Sequence, residues 1–403
     1  MSFLKKKLQH LDYWILLPYL ALVLIGIVMV YSASSAELLT LRSSPFTYVI
    51  RQIAFAVVGL FLLFFCYFMK IHLWYSRRFV IILLVLTFLS LLGLQVLRII
   101  HPAAAQNGAV GWYDFGFFNV QPVEPAKLSL VLYFAFILGR KEMFLRRNNY
   151  LKTLWPPVVI ALGVMFLTLL QPDMGGAAIL GFIVAVMLFA SGIPWIVSLG
   201  VGGILLVGLG TAINFLGQLS SSSLILKVLH LRLYQFDRLR AFMHPFALEK
   251  HGGAQLVNSY YAINNGGWFG RGLGNSIQKR GYLPEPYTDF ILSITAEELG
   301  VIGASIILLL IGLLIVRSFL IGMRSHNTYH MLICYGISAM LFVQTLFNVG
   351  GLLGLLPITG VTLPFISYGG SSMLVLSVCI GLVLNVSASE QRLRESQVPS
   401  SLS

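Results

Sequence analysis

Residues 11–33 read LDYWILLPYLALVLIGIVMVYSA, an apolar run in which Asp12 is the single charge and which Lys5, Lys6 and Lys7 precede. A membrane-spanning helix needs roughly 20 predominantly apolar residues, so this run is long enough to cross a bilayer. It exceeds the core of a signal peptide and has no convincing small-residue cleavage site before the next polar loop. It reads as a first transmembrane helix. Windows of the same kind follow at 48–69, 79–97, 124–140, 153–171, 175–191, 194–216, 289–316, 328–350 and 366–387. The expected fold is an all-α membrane protein, a single polytopic unit over residues 1–403 with about ten transmembrane helices. A large extracytoplasmic loop, 217–288, separates the seventh from the eighth, and residues 396–403 read as a short disordered tail.

Composition excludes a water-soluble globule, because 58% of the residues are hydrophobic and only 10% are charged. The formal charge of +13 invites a nucleic-acid reading, but its placement follows membrane topology. With a cytoplasmic N-terminus and ten crossings, the cytoplasmic segments hold Lys5 to Lys7, Lys70, Arg77, Arg78, Arg140, Lys141, Arg146, Arg147, Lys152, Arg317, Arg324, Arg392 and Arg394. The short outer segments hold only Arg42, Arg51 and Arg98. The positive-inside rule therefore puts both termini in the cytoplasm.

Cys66, Cys334 and Cys379 sit inside apolar runs at no metal-ligand spacing and read as small core residues. No Walker loop, HExxH, nucleophile elbow or CxxC pair is present, which argues against an ATP-driven pump. No period of 20–50 residues and no duplicated halves appear, which disfavours an inverted-repeat transporter.

Three segments differ from ordinary connectors. Residues 98–123 are rich in glycine and aromatics. Residues 217–288 are too long for a passive link; their stretch 223–243 is amphipathic, as for a helix lying at the interface. The loop carries eight basic residues against Asp237, Glu249 and Glu285. Such a loop concentrates anionic lipid-linked substrates, or is simply a solvated basic surface near anionic lipid. Residues 350–371, GGLLGLLPITGVTLPFISYGGS, are apolar but broken by Gly and Pro, as in an unwound stretch at membrane depth.

The densest chemistry lies in 270–300, GRGLGNSIQKRGYLPEPYTDFILSITAEELG. Asp289 stands where the loop meets the next helix. Thr288 or Asp289 suits an N-cap; equally, a carboxylate at the interface can take a proton from a lipid-tethered sugar hydroxyl. Glu297 and Glu298 lie deeper, where a charge costs roughly 2.5–3.5 kcal/mol and needs a partner or water. A helix-packing ion pair is the first expectation for them, ahead of a direct catalytic role. Glu124 and Lys127, three apart at a helix start, are expected to pair, either for packing or to shape a cavity. Asp173, in QPDMGG at 171–176, either stabilises a tight turn or faces substrate.

Taken together, Asp12 with GIVMVYSASS at 26–35, QPVEPAKL at 121–128, QPDMGG, the 270–300 block and LLPITGVTLPFISYGGSS at 355–372 resemble the SEDS family of shape, elongation, division and sporulation proteins. GLGNSIQKRGYLPEPYTDF is similar to the family's division branch, FtsW, more than to its elongation branch, RodA. Three positions depart from the family pattern. Tyr287 stands where His is common, Val123 where the QPSE motif has Ser, and Pro125 where a non-proline residue is usual.

The resemblance implies a peptidoglycan glycosyltransferase that polymerises lipid II in septum synthesis, with Asp289 as the essential carboxylate and Glu124 and Lys127 as a charged pair. Arg238, Lys279, Asp173, Glu297, Ser367, Gly369 and Gly370 are candidate substrate-binding or supporting residues. It also implies a class B penicillin-binding protein transpeptidase and other division proteins as partners, at the bacterial cytoplasmic membrane with an extracytoplasmic active face and no nucleic acid. No cofactor is evident; a divalent cation, Mg or Mn, on the pyrophosphate is conceivable chemistry, without a nameable ligand set. A stable lipid pyrophosphate leaves with help from cations alone, so one base is enough. The competing readings are a lipid II flippase and a non-catalytic scaffold for the transpeptidase.

Overall fold

The computed structural model describes residues 7, 9–100, 111–116, 118–140, 150–194, 196, 198–200, 203, 242–243, 245–248 and 253–397. The expected helix 194–216 lies almost wholly outside them. So do the amphipathic stretch 223–243, apart from its last two residues, Arg238 and the tail 398–403. The described helices are α1 (Tyr13–Thr40), α2 (Thr47–Phe68), α3 (Arg77–Ile100), α4 (Val123–Arg140), α5 (Tyr150–Leu170), α6 (Met174–Ala190), α7 (Ala254–Gly266), α8 (Ile291–Met323), α9 (Thr328–Leu352) and α10 (Gly370–Gln397). A two-stranded antiparallel hairpin, β1 (Tyr113–Asp114) with β2 (Asn119–Val120), precedes α4.

Seven of these helices, α1, α2, α3, α5, α8, α9 and α10, are long and apolar enough to cross a membrane, and α6 is a shorter apolar helix. The chain is thus a multi-pass membrane protein. α4 has spanning length but carries Glu124, Lys127 and Arg140. The outer helices expose apolar side chains: Val57 and Phe61 of α2 are 63% and 67% accessible, and Leu309 of α8 is 71%. In water such a surface would drive aggregation; in lipid it is the solvated face. α4 is the opposite case, buried at every position from Ala126 to Ala135, and this central helix carries the charged pair.

The start of α1 and the end of α10 lie at one end of the bundle. Lys7 donates to Asn385 Oδ1, and Asp12, the N-cap of α1, pairs with Arg317 and accepts from Ser387. The starts of α4, α6, α8 and α10 gather at the opposite end, where Gln121 N bonds Ser371 and Ser367 bonds the Thr288 carbonyl.

Two local departures from helix build that end. α8 is kinked at Gly300, whose φ of 72° suits glycine. There the Glu297 and Glu298 carbonyls accept from Arg271 N (2.9 Å) and Gly272 N (3.0 Å) of the preceding loop. A side chain at Gly300 would collide with the Trp268 carbonyl. Residues 354–369 are non-helical and partly buried, as the Gly- and Pro-broken sequence predicts. Their last helix therefore begins at Gly370 rather than 366, and it runs through Ser396 and Gln397, which were expected to be tail. The irregular stretch is roofed by α1, where Gly26 lets the Phe365 carbonyl approach the helix closer than any side chain would permit.

Candidate functional site

The Asp289 carboxylate is placed by its backbone. Three consecutive carbonyls are each held by a group from beyond residue 347: Tyr287 O accepts from Tyr368 N (2.9 Å), Thr288 O from Ser367 Oγ (2.6 Å), and Asp289 O from Asn348 Nδ2 (2.9 Å). Ser367 in turn accepts from Leu363 N, and the second Asn348 hydrogen goes to Val361 O (2.9 Å). The capping expectation is not met by Thr288. The N-cap of α8 is Phe290, without a side-chain cap bond, and Thr288 Oγ1 turns back to Glu285 instead. Asp289 is half-buried and lines a small cavity with Asn348, Thr359, Gly360 and Val361.

Thr359 and Val361 carry the site to the other motifs. They lie against Gly175, where a side chain would run into the Thr359 and Val361 side chains. Next to Gly175, Asp173 caps α6 by accepting from Gly176 N at 2.6 Å, so its turn-stabilising role holds. Burial raises the Asp173 carboxyl above its ordinary range; the Gly176 N–H and the Lys127 charge pull it back, and Glu124 pushes it up. Asp173 is thus electrically coupled to the α4 pair. There Lys127 Nζ meets Glu124 Oε1 at 2.8 Å with both side chains buried, while Glu124 Oε2 is buried with no hydrogen-bond partner.

Glu297 and Glu298 have different roles. Glu298, with zero exposure, forms the expected ion pair, to Lys279 at 2.6 Å, and accepts from Ser32 of α1 at 2.6–2.7 Å. Lys279 is itself buried and committed to Glu298 and Ser32, so it locks the loop to α1 rather than facing a phosphate. Among the described residues no cation pairs with Glu297. It accepts from Ile277 N (3.1 Å), Gln278 N (3.2 Å), Asn265 Nδ2 (3.2 Å) and Ser276 Oγ, and so folds the loop around itself. The correction has a plain cause: backbone N–H groups satisfy a buried carboxylate as well as an ion does. Arg271 and Arg280 are the exposed cations of this loop.

Gly369 and Gly370 mark the start of α10. Gly370 abuts the Phe55 ring at 2.5–2.8 Å from where a Cβ would stand, so it lets α2 close on that helix start. Tyr287 belongs to a cluster with Tyr48 and Tyr368, ring centroids 4.8 and 6.0 Å away. Burial first, then the nearby Glu285, pushes its hydroxyl up, so it stays protonated. Asn348 was not singled out in the sequence; only its position inside an apolar helix marked it.

The whole chain supports one assignment, because residues 13–392 match the family model FtsW/RodA/SpoVE, described as "Cell cycle protein". The chain belongs to the FtsW/RodA/SpoVE family. Among relatives, the "Probable peptidoglycan glycosyltransferase FtsW" of Lactococcus lactis is 38% identical over 410 residues, covering 97% of this chain and 96% of that protein. Among solved structures, a chain from "a peptidoglycan synthase complex" that coordinates polymerization and crosslinking aligns with a TM-score of 0.68 at 29% identity, over 94% of this chain and 98% of its own. The rod shape determining protein RodA of Thermus thermophilus aligns with a TM-score of 0.63 at 29% identity, over 94% and 97%. The five motifs that resembled this family are thus part of a likeness that runs along the whole chain. Four of them meet at the Asp289 end: QPVEPAKL, QPDMGG, the 270–300 block and the 355–372 stretch.

Proposed function

We propose that this chain is a peptidoglycan glycosyltransferase that polymerises glycan strands from lipid II in septum synthesis, with Asp289 as general base. The observation that carries the reading is the triple carbonyl clamp on residues 287–289. It holds one carboxylate at the meeting point of four motifs. In the reaction the acceptor sugar hydroxyl loses its proton to Asp289, and its oxygen attacks the anomeric carbon of the lipid-linked glycan. The bond from that carbon to the lipid pyrophosphate breaks with inversion, and the pyrophosphate departs as an anion. Arg271 and Arg280 and the positive ends of α4, α6, α8 and α10 favour that anion at this end.

Among the described residues no three His, Cys, Asp or Glu side chains are placed to hold a metal ion. No step is routed through a cation. Relatives named as FtsW and the likeness to a synthase-complex chain support a class B penicillin-binding protein as partner. Copurification with that protein, and its effect on rate, test this. The active face is assigned to the extracytoplasmic side by the distribution of Lys and Arg; a reporter fused within 217–223 that is active only in the cytoplasm would reverse it.

The deciding experiment uses purified protein in detergent with lipid II alone, where there is no membrane for a flippase to work across. Wild type should form glycan chains. Asp289→Asn should fold and bind lipid II but polymerise about 100-fold more slowly or worse. A folded Asn variant with near wild-type turnover would sink the mechanism.

A further inference from the structure

Asn348 sits in α9, 5% exposed, and does more than clamp the backbone. The acceptors facing its Nδ2, Asp289 O and Val361 O, are both carbonyls, so the amide nitrogen must point at them. Its Oδ1 is thereby turned the other way. That oxygen is buried with no hydrogen-bond partner, and so is Thr359 Oγ1. Both residues line the same cavity of about 10 Å³, and Asp289 lines it too; the rest of the wall is Phe290, Phe347, Leu352, Ile358 and backbone.

Two orphaned buried polar atoms are costly unless something pairs with them. A water molecule needs a cavity of roughly 10–15 Å³ and two to four polar partners. This pocket offers that space and three polar residues. We infer that it is a binding site for a single structural water, held by Asn348 Oδ1 and Thr359 Oγ1 and bonded to Asp289, and that Asn348 and Thr359 are positioning residues for the base.

The water donates one hydrogen to Asn348 Oδ1 and meets the Thr359 hydroxyl, leaving its remaining capacity for Asp289. When lipid-linked substrate displaces bulk water from the site, this one stays and keeps the carboxylate hydrated and oriented. That constancy matters because a base displaced by about 1 Å can lose roughly 100-fold in rate. The site also explains a small residue elsewhere. Gly175 of QPDMGG gives Thr359 the room to stand where it does, since a side chain there would come within 2.8 Å of the Thr359 Cβ.

The inference rests on Asp289 being the base, and the test separates the two. Thr359→Val, Thr359→Ser, Asn348→Leu and Asp289→Asn are purified as full chains, with the partner protein if wild type requires it, and assayed on lipid II for kcat, KM and melting temperature. Thr359→Val removes only the hydroxyl at constant shape. It should lower kcat about tenfold with KM within about twofold and melting unchanged, and Thr359→Ser should restore most of the rate. Asn348→Leu should lower kcat further; if it fails to fold, the Thr359 pair still decides. Wild-type kcat in Thr359→Val, equal losses in the Val and Ser variants, or a loss carried by KM overturns the water site. If Asp289→Asn is inactive while Thr359→Val is not, only this inference falls; if Asp289→Asn is active, the base assignment falls with it. An experimental map fine enough to show solvent should place a water within hydrogen-bond reach of both atoms, and its clear absence would also overturn the site.

Discussion

At the end of the bundle where α1 starts and α10 ends, buried charge is met by charge or polar groups on another helix. Asp12 of α1 pairs with Arg317 of α8 at 2.8 Å, and His330 of α9 meets Glu390 of α10 at 2.7 Å. At the opposite end the backbone carries much of the load. The carbonyls of 287–289 are clamped, Glu297 is satisfied largely by loop N–H groups, and the 354–369 stretch has no helix of its own. Direct ion pairs tie helices together wherever their side chains reach, and tolerate small shifts. Backbone clamps dictate position to a fraction of an ångström, which a reacting carboxylate needs.

The comparison breaks most visibly at the Lys279–Glu298 ion pair at the site end. Glu298→Gln leaves Lys279 buried without its counter-charge and should cost about 3–5 kcal/mol, seen as lost yield or a large drop in melting temperature. Glu298→Leu combined with Lys279→Met should recover much of the loss. A Gln variant that melts like wild type would mean that the pair does not hold the loop to α1.

A smaller effect on folding and a large one on rate are expected at α4. Glu124→Gln and Lys127→Met should each reduce polymerisation at least tenfold, and a double-mutant cycle should show coupling of about 1 kcal/mol or more. Additive losses would dissolve the pair as a unit.

At the end where α1 starts, Arg317→Met should lower stability by only about 1 kcal/mol, since Arg317 is 26% exposed and Asp12 keeps the Trp14 N–H and Ser387. Polymerisation per folded molecule should be unchanged. A kcat loss here would show that the two ends are not independent.

The weakest effect concerns pH. Burial first, then Arg392, brings the Lys7 ammonium down to about 8 from 10.5. Between those values the unfolded chain binds more protons than the folded one, so stability rises with pH across that window and is flat below it. Melting temperature should rise slightly from pH 8 to 10, and Lys7→Met should remove that slope. An identical slope in the variant would place its source elsewhere.

Much of the fold was legible because lipid as solvent leaves a coarse signal. Long apolar runs had to become helices, and those among the described residues did so at nearly the expected places, though α1 continues to Thr40 and α8 to Met323. The pairing of Glu124 with Lys127 could be read because three residues of helix bring two side chains together. Glu297 and Glu298 could not be told apart by the same logic. They are neighbours in sequence, but 100° of helix rotation turns one to the loop and the other to α1.

The sequence by itself determined the solvent, the approximate extent of the described long helices, the irregular stretch before α10 and the residue types available for chemistry, since all of these follow from local composition and spacing. Only the tertiary structure decided that the Asp289 backbone is clamped, that Lys279 is spent on Glu298, and that Asn348 and Thr359 stand beside Asp289. Those are contacts between residues 59 to 266 positions apart in the cases of Asn348 with Asp289 and Ser32 with Glu298. No local pattern encodes such contacts, because they depend on how the helices pack.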